Sequence, residues 1–184
     1  MKIKIFAILM SVSILLAGCG SNSGNVNPSP AEPAETTPVG QETKPAAEEK
    51  SKYYFDYNGT AIYMNADAKP VLDALGEPME FFESPSCAIQ GMDRTYSYNG
   101  FDLYTREDEN DENEYIVSVV FMSDVVETKE GITIGSKLED VISKYGDNYT
   151  KEGERYTYTD TNTNLSFVFE NSEVVEVSYN LIEN

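Results

Sequence analysis

The sequence predicts an α+β fold built from two tandem copies of one unit, each a short helix and about three antiparallel strands. Together the copies would make a curved antiparallel sheet with the helices on one face. Three observations predict this. First, Leu138, Val141, Ile142 and Tyr145 fall at helical spacing and stop at Gly146, and Ala68, Val71, Leu72 and Leu75 repeat that stripe and stop at Gly76. Second, each helix is followed by runs with a period of two: Tyr96-Ser-Tyr98, Phe101-Asp-Leu103 and Val117 to Phe121 in one copy, Tyr156-Thr-Tyr158, Leu165 to Phe169 and Val175 to Tyr179 in the other. Third, the spacing between copies goes from 70 residues at the helices to 60, 64 and 58 at the three strands, so the length differences fall in the connections.

In chain order, Met1 to Gly18 places Lys2 and Lys4 ahead of an apolar run from Ile5 to Leu16, the pattern of a secretory signal segment too short to span a bilayer stably. Residues 19–52 hold five of the eight prolines among Ser, Asn, Ala, Glu and Thr. Such a composition buries no core, and a tether of this length reaches ~100 Å when stretched. The folded part is expected from Tyr53, with repeat 1 over 53–124 and repeat 2 over 125–184. Tyr53 to Tyr57 and Thr60 to Met64 read as extended runs around an Asn58-Gly59 turn.

Helix one is expected from about Asp67 to Leu75, with Pro70 tolerated in its first turn and Glu77-Pro78 forbidding continuation. Met79 to Asp93 has no clean period, and Phe81 and Phe82 are expected to be covered. For helix two, Ser136 and Glu139 read as a capping box and Gly146 as a left-handed cap. Asn65 stands where the second copy has Gly135, so the turn before helix one is expected to differ. A helix of about nine residues is unstable alone and one copy buries too little surface, so the copies should share a core.

Charge and composition narrow the function classes. The chain carries 13 Lys and Arg against 32 Asp and Glu, a net charge of −19, and loss of Lys2 and Lys4 with the signal segment would take it to −21. A surface this acidic repels nucleic acid and anionic lipid head groups. The absence of histidine excludes Ser-His-Asp and Cys-His catalysis and imidazole-bound zinc. No cofactor, metal or catalytic residue is expected.

The apolar run ends in Leu16-Ala17-Gly18-Cys19, which resembles the bacterial lipobox. The resemblance implies that Cys19 is acylated and becomes the new N-terminus, holding the chain on the extracytoplasmic face of the cell membrane; two acyl chains suffice for stable anchoring. The succession Ile134-Gly135-Ser136, helix, Tyr145-Gly146 resembles the tandem-repeat domains of the β-lactamase-inhibitor-protein-like superfamily, in which two helix-plus-sheet units make a curved sheet. Ser84 to Asp93, with the strands that follow and Glu130 to Gly135, is also similar to lipoproteins of Gram-positive anaerobes. No inhibitory residue carries over from that resemblance.

Among candidate sites, Glu107 to Glu114 has six carboxylates in eight residues, but its spacing fails as a calcium loop, as does Asp160-x-Asn162-x-Asn164; both read as solvated turns. Cys87, partnerless once Cys19 is acylated, is expected to be buried as a small apolar residue. Of 13 tyrosines, Tyr96, Tyr98, Tyr156 and Tyr158 hold matching strand positions and are the candidate partner-binding residues on an open sheet face. The expected role is a non-enzymatic interaction domain for a protein or envelope partner, and the surface charge favours a basic one. The alternatives are a ligand- or cation-binding lipoprotein of a transport or sensing system, and an inhibitor of an extracellular enzyme.

Overall fold

A computed structural model describes residues 50–87, 91–107 and 113–183. The expected α+β class is not what it contains. Among the described residues ten strands accompany two helices of eight residues each, so the fold is largely β. The sequence pattern led astray because the two outermost strands of the sheet have no apolar alternation and because a helix this short adds a few buried side chains to a core rather than a layer.

β1 (Phe55–Tyr57) and β2 (Thr60–Ile62) form a hairpin, with Asn58 and Gly59 at φ 53° and 86° as a type I′ turn requires. α1 (Ala68–Leu75) follows; the Asp67 carboxylate accepts from the Lys69 N–H at 2.9 Å, and Pro70 stands in the first turn. Then come β3 (Glu80–Pro85), β4 (Met92–Tyr98), β5 (Phe101–Glu107) and β6 (Glu114–Phe121). The second copy runs α2 (Leu138–Tyr145), β7 (Thr150–Glu152), β8 (Arg155–Asp160), β9 (Thr163–Glu170) and β10 (Glu173–Leu181).

The capping box is one residue later than its motif suggested. Lys137 is the N-cap, and its N–H donates to Asp140, not Glu139. The Ser136 hydroxyl instead accepts from the Thr133 N–H at 3.0 Å, tightening the preceding turn. Gly76 and Gly146 end the helices at φ 77° and 81° with ψ near extended, a region essentially restricted to glycine.

β3 to β10 form one antiparallel sheet in the order β3-β4-β5-β6-β10-β9-β8-β7. Each copy is a four-stranded meander, and the copies meet through their final strands, where Val119 faces Tyr179 and Ser118 faces Asn180. The pre-helix turns are the same in both copies, contrary to expectation. Asn65 adopts φ 62° and donates to the Ile116 carbonyl at 2.8 Å, as Gly135 does to Val174 at 2.7 Å. Asparagine tolerates the left-handed region well enough to replace glycine there.

One face of the sheet carries the core: Tyr98, Phe101, Leu103, Val119 and Phe121 from one copy, Tyr156, Tyr158, Leu165, Phe167 and Tyr179 from the other. Ala68, Val71 and Val141 of the helices join it. The hairpin lies across both copies. The Phe55 ring is 5.0 Å from Phe101 and from Phe121 and 6.2 Å from Tyr179, while Tyr53 meets Tyr145 and Tyr158 edge-on. Residues ahead of the expected Tyr53 also belong to the fold: Ser51 is buried and donates to the Asp160 carbonyl, and the Lys52 N–H donates to the Asp160 carboxylate at 2.7 Å.

Candidate functional site

The four tyrosines proposed as binding residues lie on the core face of the sheet. Tyr98, Tyr156 and Tyr158 are buried, and Tyr96 is half-buried against them. Period two put them correctly on one face, but which face is covered depends on the other elements, and here the core lies on theirs. Their hydroxyls are engaged in the same way in both copies: Tyr98 donates to the Gly76 carbonyl at 3.1 Å and Tyr158 to the Gly146 carbonyl at 2.9 Å. Burial raises the Tyr98 pKa, and raises that of Tyr158 to about 12 with a further contribution from Tyr149 and Tyr53. Tyr98 and Tyr158 thereby hold the helix ends to the sheet.

The opposite face is polar. Ser118 donates to Asn180 at 2.8 Å, Asn180 to Ser178 at 3.1 Å, Thr159 to Asn164 at 2.6 Å, and Thr157 and Ser166 share a hydrogen bond of 3.0 Å. Arg155 pairs with Glu176 at 3.1 Å. These groups satisfy one another across the strands, and the small ones, Ser166 and Ser178, are buried between their neighbours.

The two ends of the sheet differ, and the duplication makes the difference readable. Phe81 of β3 faces Tyr96, and Lys151 of β7 faces Tyr156, the equivalent tyrosine. Phe82 faces Thr95, and Glu152 faces Arg155. Where the second copy ends in three polar residues with Lys151 over the Tyr156 ring at 4.7 Å, the first ends in six residues with Phe81 against Tyr96 at 5.1 Å. Phe81 and Phe82 are 51% and 65% exposed and Met79 is 69% exposed, so the expectation that the phenylalanines are covered fails. Lysine and short length are the usual protection of a sheet edge. β7 has both and β3 has neither. Met122, Val125 and Val175 are also exposed, but Met79, Phe81 and Phe82 put three apolar side chains within four residues at an open edge.

Behind β3, on the core face, Arg94 lies within 3.4 Å of Glu83, 3.7 Å of Glu107 and 3.5 Å of Glu114. One guanidinium among three carboxylates leaves two negative charges in excess. The Tyr96 hydroxyl also bonds to Glu114; burial and that carboxylate push the phenol pKa well above its ordinary value. A cleft of about 350 Å³, lined by Leu72, Asp73, Glu77, Pro78 and Tyr96 among others, opens beside the ring on which Phe81 packs.

Cys87 is exposed rather than buried, one turn past the end of β3. Residues 108–112 of the acidic stretch and Cys19 lie outside the described residues; the Glu107 and Glu114 that flank the acidic stretch face each other across β5 and β6. Asp160, Asn162 and Asn164 do not converge. Asp160 accepts from Lys52, Asn162 donates to the Met64 carbonyl at 3.2 Å, and Asn164 accepts from Thr159.

The apolar edge is what sequence reasoning missed, and a signal for it existed. Aligning the copies at the helix spacing sets Phe81-Phe82 against Lys151-Glu152, a replacement of two aromatic residues by two charges within otherwise matching units. No protein-family model, no curated protein and no solved structure matches the chain.

Proposed function

We propose that this chain is a lipid-anchored domain on the extracytoplasmic face of the cell membrane, that it holds a protein or envelope partner, and that it carries out no catalysis of its own. The observation that carries the reading is the asymmetry of the sheet ends: one copy ends in three polar residues with Lys151 over Tyr156, while its twin exposes Met79, Phe81 and Phe82. Exposed apolar area costs solubility, and in a chain of net charge −19 it persists where a partner covers it. Leu16 to Cys19 supplies the anchor.

The test places a photoreactive amino acid at position 82, at position 152 on the opposite edge, and at position 168 on the polar face, in cells carrying the full chain. Adducts with a defined protein or wall component from position 82, and not from position 152, support the reading. Absence of adducts from all three positions removes it. For the anchor, Cys19→Ser should abolish labelling by an acyl-chain analogue, and labelling that persists in that variant refutes lipidation at Cys19.

A further inference from the structure

We propose that the free edge of β3 takes an extended, basic polypeptide segment as an added antiparallel or parallel strand, read as basic–apolar–apolar–basic against Glu80-Phe81-Phe82-Glu83. This rests on the interaction reading above and names the partner's chemistry and its mode of docking.

The hydrogen-bond phase of β3 is set at its C-terminal end, where the Ser86 N–H donates to the Gly91 carbonyl at 2.9 Å in the register that runs from Glu80 with Ser97 to Pro85 with Met92; the Met79 N–H, which donates at 2.8 Å to the carbonyl of Ser97, the partner of Glu80, lies one residue outside that register. Alternation in an antiparallel ladder then directs Glu80, Phe82 and Ser84 toward β4 and turns the main-chain N–H and C=O groups of Phe81 and Glu83 outward. Among the described residues no strand lies on that side. Main-chain groups in that position give a strand-addition site its affinity, and alternate side chains give it specificity.

The side chains define the complement. Glu80 and Phe82 stand on the polar face, Phe81 and Glu83 on the core face, so a strand laid alongside meets one carboxylate and one aromatic ring on each side. Cations opposite Glu80 and Glu83 and apolar residues opposite Phe81 and Phe82 satisfy both faces. The excess negative charge around Arg94 adds to the field at Glu83. The motif is palindromic, so it fits in either strand direction.

The same charges argue against the two nearest competitors. A second copy paired antiparallel in this phase, centred on Phe82, would set Glu83 of each chain opposite Phe81 of the other and bring no cation to either carboxylate. The chain's own segment 20–49 carries Glu32, Glu35, Glu42, Glu48 and Glu49 against a single Lys44, with five prolines that cannot donate to a ladder.

The experiment uses the full chain purified in detergent and a fluorescent capped hexapeptide, Thr-Lys-Val-Val-Lys-Thr, followed by anisotropy. Three comparison probes are the Glu-Val-Val-Glu analogue, the scrambled Lys-Val-Lys-Val analogue, and the parent peptide N-methylated on the amides that would face β3. Saturable binding of the parent is expected, weakened about tenfold or more by N-methylation and by the Phe81→Lys/Phe82→Glu variant, which transplants the second copy's edge. Phe82→Tyr keeps the aromatic surface and should retain binding, and the transplant should melt like the parent chain because both positions are exposed.

Equal binding of the acidic analogue, indifference to N-methylation, no saturable binding of any peptide, or an unaffected transplant each overturns the proposal. So does a dimer in sedimentation that the transplant dissolves, which would make a second copy the occupant. Adducts from position 82 in cells together with any of these results would leave the interaction role standing and remove strand addition alone.

Discussion

Tyr98 and Tyr158 each span from a strand to the carbonyl of the glycine that ends a helix, at 3.1 and 2.9 Å, and this repeated bond fixes the helix position in each copy. Replacing either by Phe keeps the ring and removes the donor, so each change should lower the unfolding free energy by about 1 kcal/mol, and because the sites lie in different copies the two losses should add. Urea melts of the single and double variants check this. The same burial predicts alkaline sensitivity. A tyrosine in an unfolded chain titrates near ~10. Tyr158 in the fold titrates at about 12, so below the lower value both states hold the proton and stability is level. Between the two values the unfolded chain releases its proton first, and stability falls with rising pH. Melting temperature should therefore be flat across neutral pH and decline through that alkaline window. A Tyr158→Phe variant should decline less steeply. A melt indifferent to alkali would show these phenols to be solvated.

At the level of elements, every strand with alternating apolar residues was legible, and β3 and β7 were not. Glu80-Phe81-Phe82-Glu83 has no period of two because an edge strand with open sides has no single buried face to encode. Thr150-Lys151-Glu152 has no apolar residue at all and is defined by its ladder to β8. The tyrosine face was legible as a face, yet its burial was not, since that depends on a hairpin contributed from outside the repeat. Turns carry constraints that sequence shows only as glycine. At Gly100, φ is 96° and an added Cβ would lie 2.5 Å from Val125 and 2.9 Å from Val126, so the β4–β5 turn sits directly under the chain linking the two copies. Gly131, at φ 85°, has nothing within 4 Å of that position. Gly100→Ala should cost more than ~3 kcal/mol against about 1 to 2 for Gly131→Ala, the clash adding to the backbone strain. Equal losses measured by denaturant would show that the linker can move aside.

For the whole molecule, the matched helices and the period-two runs pointed to two copies, but the α+β class read from them gave the helices more weight than their two short segments have in a largely β structure. The junction was not legible, because no local pattern says which strands of two meanders meet. It lies at β6 and β10, reinforced by Phe55 between Phe121 and Tyr179. Residues 125–184 alone would expose the inner edge of β10 and lack the hairpin, so that fragment should give no cooperative melt and no dispersed amide spectrum. A cooperative transition would disprove the shared core. The position of β10 also governs the order of events while the chain is being made. The last strand synthesised lies in the middle of the sheet, and Ser51 waits for Asp160 across 109 residues. Until Glu173 to Leu181 emerges, β6 is paired only with β5 and Phe55 has only half of its nest, which places this fold among the slow, non-local topologies. A nascent chain halted before Glu173 should be cut readily by protease throughout Tyr53 to Phe121, and one extended past Leu181 should become resistant in a single step. The apolar strand β3 is meanwhile open beside a second open edge, so the interval before closure is when this chain is most prone to pair wrongly.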